Sequence, residues 1–371
     1  MFVKEIPIEY ILFLMLYGGM AMTDLLCCFY LLLRKDNAFV ADITSPVRLR
    51  RWAAAFFAVT FLEHVWWFLF YLYFGDIHSV IYVVICGLDV VTMMTTIAGT
   101  LLAMLQDRKR HFWPFIIATI PYAALLALNI VYPDSHFLSI AIAYILLLYL
   151  LFTVYMVFAV RQYRHWLRDN YADLEHKEVR LSYMLIILFS LFVILYGFAD
   201  NITMSFVVQF ISLPLFGLLL WRVETLEQLD EATEDTEEAP MEPEEVAQST
   251  LSPGIGPLLE RHCEDAQLYL QHDLSLFQLS QTIGTNHYYL SQYFAQQGLT
   301  YNTYINGLRI RHFINLYHDA VANQRSFTAQ QLAHESGFRS YSTFSVAFKQ
   351  RMGQTVAAWM HDAAEVSDEQ I

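Results

Sequence analysis

The sequence predicts an all-α protein made of two helical regions with an acidic linker between them. Three observations carry that prediction. Up to Trp221 the chain is dominated by seven apolar stretches, each near the roughly 20 residues a helix needs to cross a hydrocarbon core. Eleven acidic residues then crowd between Glu224 and Glu245, with no Lys or Arg among them. Beyond the linker, from Leu274 to Met360, one pattern occurs twice: a capped short helix, a glycine turn, and a second capped helix.

Composition agrees with this division. The chain has 371 residues, 56% hydrophobic and 16% charged, with a mean hydropathy of +0.38, far from the balance of an ordinary soluble domain. The formal charge of −14 is local, because without the eleven acidic residues only −3 remains. Acidity therefore describes the linker, not the domains. Cys27, Cys28, Cys86 and Cys263 show neither zinc nor CxxC spacing and are expected to be small buried hydrophobes.

The seven spans run Ile8–Leu33, Trp52–Phe74, Val80–Leu105, Phe112–Tyr132, Phe137–Val160, Leu181–Ala199 and Ile202–Trp221. The first is too long, and its flank (Lys4, Glu5) too neutral, for a cleavable signal. Alternate gaps carry the basic residues: Arg34, Lys35, Arg48, Arg50 and Arg51; Arg108, Lys109 and Arg110; Arg161, Arg164, Arg168, Lys177 and Arg180; then Arg222. The gaps Gly75–Ser79, Pro133–His136 and Asp200–Asn201 have none. The positive-inside rule puts the N-terminus outside and the C-terminal tail in the cytoplasm, and only an odd number of spans fits the alternation.

Ionisable groups inside spans are costly and mark either packing bonds or a binding cavity. Here they are Asp24, Glu63, His64 and Asp89, with Asn129 and Gln209 as further polar groups. The aromatic run Trp66–Phe74 lies beside them. Two readings stand: a sensor pocket for a small ligand, or inter-helix hydrogen bonds that fix the bundle. The spacing is not that of a metal site, and no metal or cofactor is expected. HExxH, GxSxG and P-loop motifs are absent, and so is the inverted repeat of a transporter, which argues against an enzyme or a carrier.

The linker, 223–254, combines its acidic run with Pro240, Pro243 and Pro253 and holds too little apolar surface to fold. A leading helix is predicted over Gly256–Leu270. Ser275 and Gln278 then form a capping box, and Leu276, Leu279 and Ile283 make the apolar stripe before Gly284. Asn286 caps a second helix whose inward face is Tyr289, Leu290, Tyr293 and Phe294, with His287, Tyr288, Ser291, Gln292 and Ala295 outward. About 53 residues later, Thr328 and Gln331, Leu332 and Gly337 repeat the design. Ser340 caps a helix with Phe344 and Phe348 inward, and Tyr341, Ser342, Ser345, Val346 and Lys349 outward. Between the pairs, Tyr301–Asp319 reads as one connecting helix.

Each pair is a helix-turn-helix, and the outward face of its second helix is where such units meet base edges in the major groove. Three runs, LSLFQLSQTIGTNHYYLSQYF, YINGLRI and LAHESGFRSYSTFSVAFKQRMG, resemble the DNA-binding domain of the AraC/XylS family of bacterial transcription regulators, in its membrane-tethered form. The resemblance spans 255–364, leaving 365–371 as a tail. It implies a tandem, homeodomain-like helix-turn-helix fold gripping successive major-groove segments. Candidate base-reading residues are Tyr288, Ser291, Gln292, Arg339, Tyr341, Ser342, Ser345 and Val346; Asn286, His287, Ser340 and Lys349 are candidate backbone contacts. The family often has Arg where Val346 stands, and the usual Pro and terminal Arg are missing after Gly353. Only six basic residues (Arg309, Arg311, Arg325, Arg339, Lys349, Arg351) against three acidic ones lie between Leu274 and Asp362, which predicts modest affinity for phosphate.

The expected protein is thus a seven-span membrane sensor (1–222) in the bacterial inner membrane, linked to a cytoplasmic DNA-binding domain. Its expected partners are double-stranded DNA, membrane lipid, an unidentified small ligand, a second copy on DNA, and RNA polymerase. The alternative is a membrane receptor or transporter whose helical tail binds protein. The orientation is directly testable. A reporter active only outside the cytoplasm should be active when fused after Gly75 and inactive when fused after Lys109.

Overall fold

The computed structural model describes residues 7–35, 37–40, 43–76, 79–133, 136–174, 177, 180–197, 202–229 and 254–368. The chain divides into two compact units. One comprises Met1–Tyr163 with Val179–Leu229, the other Arg164–Glu178 with Asp230–Ile371. No extended strand occurs among the described residues.

The first unit is built from α1 (Ile8–Leu33), α2 (Val47–Tyr73), α3 (Val80–Ala103), α4 (Trp113–Val131), α5 (Phe137–Asn170), α6 (Arg180–Gly197) and α7 (Ile202–Thr225). Helices are the expected form, since they satisfy every main-chain N–H and C=O within one segment. α1 packs on α2 and α2 on α3, while α6 packs on α7, which also touches α1 and α2. The core is aromatic. Phe56 meets Phe189 edge to face at 5.4 Å, and Phe57 meets Phe216 likewise at 5.6 Å. Gly99 of α3 allows the Trp52 ring to lie against the helix, where a Cβ would stand 2.2 Å from it.

Six of these helices are long and apolar enough to cross a membrane. The expected seventh, α6, forms an apolar helix of 18 residues and falls short of the others within the described residues. At 1.5 Å per residue it reaches about 27 Å, just under a typical hydrocarbon core. α5 departs the other way: it continues ten residues past the predicted end at Val160, because Tyr163 and Leu167 are fully buried. Its last residues, from Arg164, belong to the second unit.

The start of the expected linker is ordered. α7 runs to Thr225, and Val223, Glu224 and Leu226 are fully buried. Arg34 pairs with Glu224 at 2.8 Å, Tyr30 donates to the same carboxylate, and Asn37 donates to the Glu224 carbonyl at 2.7 Å. Gln106 then brackets the chain, donating to Glu227 O and accepting from Leu229 N–H. Glu224 is thus structural, not part of a solvated run. The acidic residues from Asp230 to Glu245 lie outside the described residues.

The C-terminal unit contains α8 (Ile255–Leu259), α9 (Leu276–Thr282), α10 (His287–Gln296), α11 (Tyr301–Ala322), α12 (Ala329–Glu335), α13 (Tyr341–Met352) and α14 (Val356–Asp368). The caps fall where the sequence puts them. Ser275, Asn286, Thr328 and Ser340 each accept a hydrogen bond from a main-chain N–H of the first turn. The reciprocal capping box closes only at Ser275–Gln278; Gln331 donates instead to Glu335.

Two apolar cores result, and α11 serves both. Tyr301, Ile305 and Leu308 fill the first beside Leu279, Leu290 and Phe294. Ile310, Phe313 and Tyr317 fill the second beside Leu332, Phe344 and Phe348. Tyr289, predicted inward, is 53% exposed. The inward stripe is complete with Leu290, Tyr293 and Phe294, and Tyr289 lies about 100° round the helix from Leu290.

The predicted leading helix over Gly256–Leu270 is broken after α8 into a wide turn (Glu260–Asp265) and a 3₁₀ turn (Leu268–Leu270), with Gln267 left-handed at φ 52°. The break aims carbonyls at Arg309, a guanidinium 1% exposed at the middle of α11. Arg309 donates to Tyr269 O (2.8 Å), Gln271 O (2.7 Å) and His272 O (3.2 Å) and faces the Phe338 ring. Gly337, the second unit's turn glycine, adopts φ 94° and would place a Cβ 2.8 Å from Leu270 Cα. Gly337→Ala should therefore lower stability by about 1–3 kcal/mol. In Arg309→Met, each carbonyl left without a donor should cost about 1–3 kcal/mol. Chemical denaturation followed by tryptophan fluorescence checks both.

Candidate nucleic-acid interface

The two recognition helices, α10 and α13, correspond residue by residue from their caps: Asn286 with Ser340, His287 with Tyr341, Ser291 with Ser345, Gln292 with Val346, Ala295 with Lys349. Each helix is fixed by two inward apolar side chains, Leu290 and Phe294 in one, Phe344 and Phe348 in the other. That anchoring leaves two outward rows, spaced four residues apart, on each helix.

On α10, Tyr288 is 59% exposed, and Gln292 donates to its hydroxyl at 2.7 Å. These two side chains form a polar pair already oriented outward. Asn286 is exposed, but its Oδ1 is committed to the cap through Tyr288 N–H. The other row runs His287–Ser291–Ala295. His287 is half-buried and donates through Nε2 to Asn170 Oδ1 at 2.8 Å; burial holds its imidazole below the ordinary histidine range.

On α13, Tyr341, Ser342, Val346 and Lys349 are exposed and Ser345 is half-buried. Ser340 is committed to its cap with Thr343 N–H. Arg339, half-buried, reaches Asp273 at 3.4 Å. Val346 presents an apolar group, able to meet a thymine methyl but not to donate to guanine.

Phosphate contact is leaner than the sequence suggests. Arg309 is internal, Arg311 pairs with Glu264 at 3.3 Å, and Arg325 pairs with Glu335 at 3.4 Å. Arg339 at the entry to α13 pairs with Asp273 at 3.4 Å, while Lys349 and Arg351 stand exposed in its last turn.

Asp24, Glu63, His64 and Asp89, the ionisable candidates of the apolar helices, are brought together by α1, α2 and α3. Asp24, Glu63 and Asp89 are buried. His64 lies 3.5 Å from Asp24 and donates through Nδ1 to Thr60 O at 2.7 Å. Asp89 accepts from both neighbouring indoles, Trp66 at 2.7 Å and Trp67. Tyr17, not singled out by the sequence, donates to His64 O at 2.8 Å, and Gln209 of α7 stands 3.5 Å from His64 Nε2. No group of three or more ligating side chains suited to a metal ion occurs among the described residues.

Residues 279–362 match the family model of a helix-turn-helix domain. That stretch is similar to AraC-type helix-turn-helix domains, and the apolar helices before it are consistent with a membrane-tethered form. No curated protein and no solved structure matches the chain.

The small cation count has a measurable consequence. Each phosphate contact contributes about −0.9 to the slope of log affinity against log salt. With Lys349 and Arg351 as the contacts, one domain should give a slope of about −2, and Lys349→Ala should reduce its magnitude by about 1. Fluorescence anisotropy on a labelled duplex across a salt series measures it.

Proposed function

We propose that this chain is a one-component transcription regulator held in the bacterial inner membrane, N-terminus outside and DNA-binding domain in the cytoplasm. The observation that carries the reading is the coexistence, in one chain, of an AraC-type helix-turn-helix domain and six membrane-length apolar helices. Base reading falls to Tyr288, Ser291 and Gln292 on α10 and to Arg339, Tyr341, Ser342, Ser345 and Val346 on α13. Asn286, His287, Ser340 and Lys349 approach phosphates. The regulator has no catalytic step; it acts by recruiting or blocking RNA polymerase.

The buried Asp24–Glu63–His64–Asp89 group is the proposed sensing element for a small ligand. Buried ionisable groups at membrane depth are expensive, so a ligand that engages them shifts the bundle between packings. The output is the spacing or pairing of two cytoplasmic domains, since two domains held together bind a duplicated site far better than one.

Promoter assays in cells test the reading. Gln292→Ala and Ser345→Ala should each lower promoter occupancy, by about 1–3 kcal/mol of discrimination where the side chain reads a base. A tail freed from the membrane should bind its promoter yet lose regulation by the signal. Unchanged promoter output in both substitutions would favour a tail that binds protein. Normal signal dependence in the freed tail would contradict the membrane's role.

A further inference from the structure

The loop between the fifth and sixth helices is more than a cytoplasmic turn: with the last turns of α5 it is built into the DNA-binding unit. Ala172 is fully buried in the first apolar core, among residues that include Leu276 and Tyr301. Asn302 Nδ2 donates to Ala172 O at 2.6 Å and to Tyr171 O at 3.3 Å, and Asn306 donates to Ala172 O at 3.3 Å. Tyr171 forms an antiparallel bridge with Ser275. Lys177 lies 3.8 Å from Asp273.

These contacts bring α5 onto one row of α10. Asn170 holds His287, and His165 and Asp169 line a cavity of about 310 Å³ together with Ser291, Ala295 and Thr300. Along this row His287 and Ser291 are half-buried and Ala295 is exposed, whereas Tyr288 on the neighbouring row is exposed. On α13 the corresponding row is Tyr341–Ser345–Lys349, with Tyr341 and Lys349 exposed. The two equivalent reading helices therefore differ at the head of this row, where Asn170 holds His287 while its counterpart Tyr341 is exposed. A recognition helix enters the major groove with both outward rows against DNA, so a chain segment on one row excludes the duplex there.

We propose that residues 164–174 are a reversible cover on the first recognition helix, and that DNA binding requires the cover to leave. The contact is suited to release. Of its described residues only Ala172 joins the first apolar core, the hydrogen bonds at Asn170, Tyr171 and Ala172 are neutral, and a cavity remains beside His165 and Asp169. α5 is one continuous helix from Phe137 to Asn170, so a rotation or axial shift in its apolar part moves Asn170 directly. DNA and the closed cover compete for one face; a signal that opens the cover raises DNA affinity by the amount of that shift.

The inference rests on the DNA-binding reading, and the test separates the two. The full chain in lipid nanodiscs is used to enrich a random-sequence duplex pool, and the enriched duplex is the probe. Asn170→Ala and Asn302→Ala, neither on the outward face of α10, should each bind it several-fold more tightly than wild type. In the wild-type chain, adding the duplex should speed amide hydrogen exchange at 171–173, which also decides the matter if a substitution prevents folding. Unchanged or weaker binding by folded variants, or exchange at 171–173 that stays the same or slows, would overturn the cover and leave the DNA reading standing. Failure of the wild-type chain and of both variants to enrich any duplex would overturn both.

Discussion

A guanidinium buried at the middle of α11 is shared by both halves of the DNA-binding unit. Arg309 gives its protons to three main-chain carbonyls in the turn before α9 and sets its face against Phe338, at the turn of the second helix pair. A charge in that position is tolerable because these carbonyls accept its protons and the carboxylates of Asp173 and Asp273 favour its charged form. The geometry of the second turn follows from the same contact. Gly337 has to pass close to Leu270, and His272 Nδ1 donates to its carbonyl at 3.1 Å. The separation of the two recognition helices is thereby set inside the domain rather than by a flexible joint. Such rigidity is what a protein needs to hold two helices to successive major-groove segments.

In the membrane region the constraint is the cost of polar groups in hydrocarbon. The helices answer it pairwise: Asp89 takes the Trp66 and Trp67 indole protons, Asp24 faces His64, and Tyr17 reaches the His64 carbonyl. Hydrogen bonds that fix a bundle and groups that detect a ligand are not exclusive alternatives. A cluster that holds three helices in one packing is also the place where a small change in charge or contact alters the packing. The Arg34–Glu224 pair does similar work at the other end of the bundle, tying the end of α7 to the residues after α1.

Much of this architecture was legible because it depends on local rules. Caps at Ser275, Asn286, Thr328 and Ser340 announce themselves by residue type and spacing, and apolar stretches of bilayer length need no long-range information. The mistakes lie where a distant partner decides. Gly256–Leu270 reads as a helix until Arg309 requires its carbonyls to turn. Glu224 reads as the first residue of a solvated acidic run until Arg34 buries it. Arg325 counts as a phosphate contact until Glu335 engages it. Nothing in the local pattern of Asn170 or Ala172 points to α10 or to Asn302, because that relation is set by pairing across more than a hundred residues. Asp24, Glu63, His64 and Asp89 stand out in the sequence for a general reason, the rarity of ionisable groups in apolar spans; their mutual distances are not readable there.

The central claim is that the C-terminal unit reads DNA sequence while part of a membrane protein. Affinity selection of sheared genomic DNA on the full chain in lipid nanodiscs tests it most directly. The account predicts enrichment of a defined motif with two conserved segments about one helical turn, ~10 base pairs, apart. Recovery of fragments without a shared motif, at the level of protein-free nanodiscs, would contradict it.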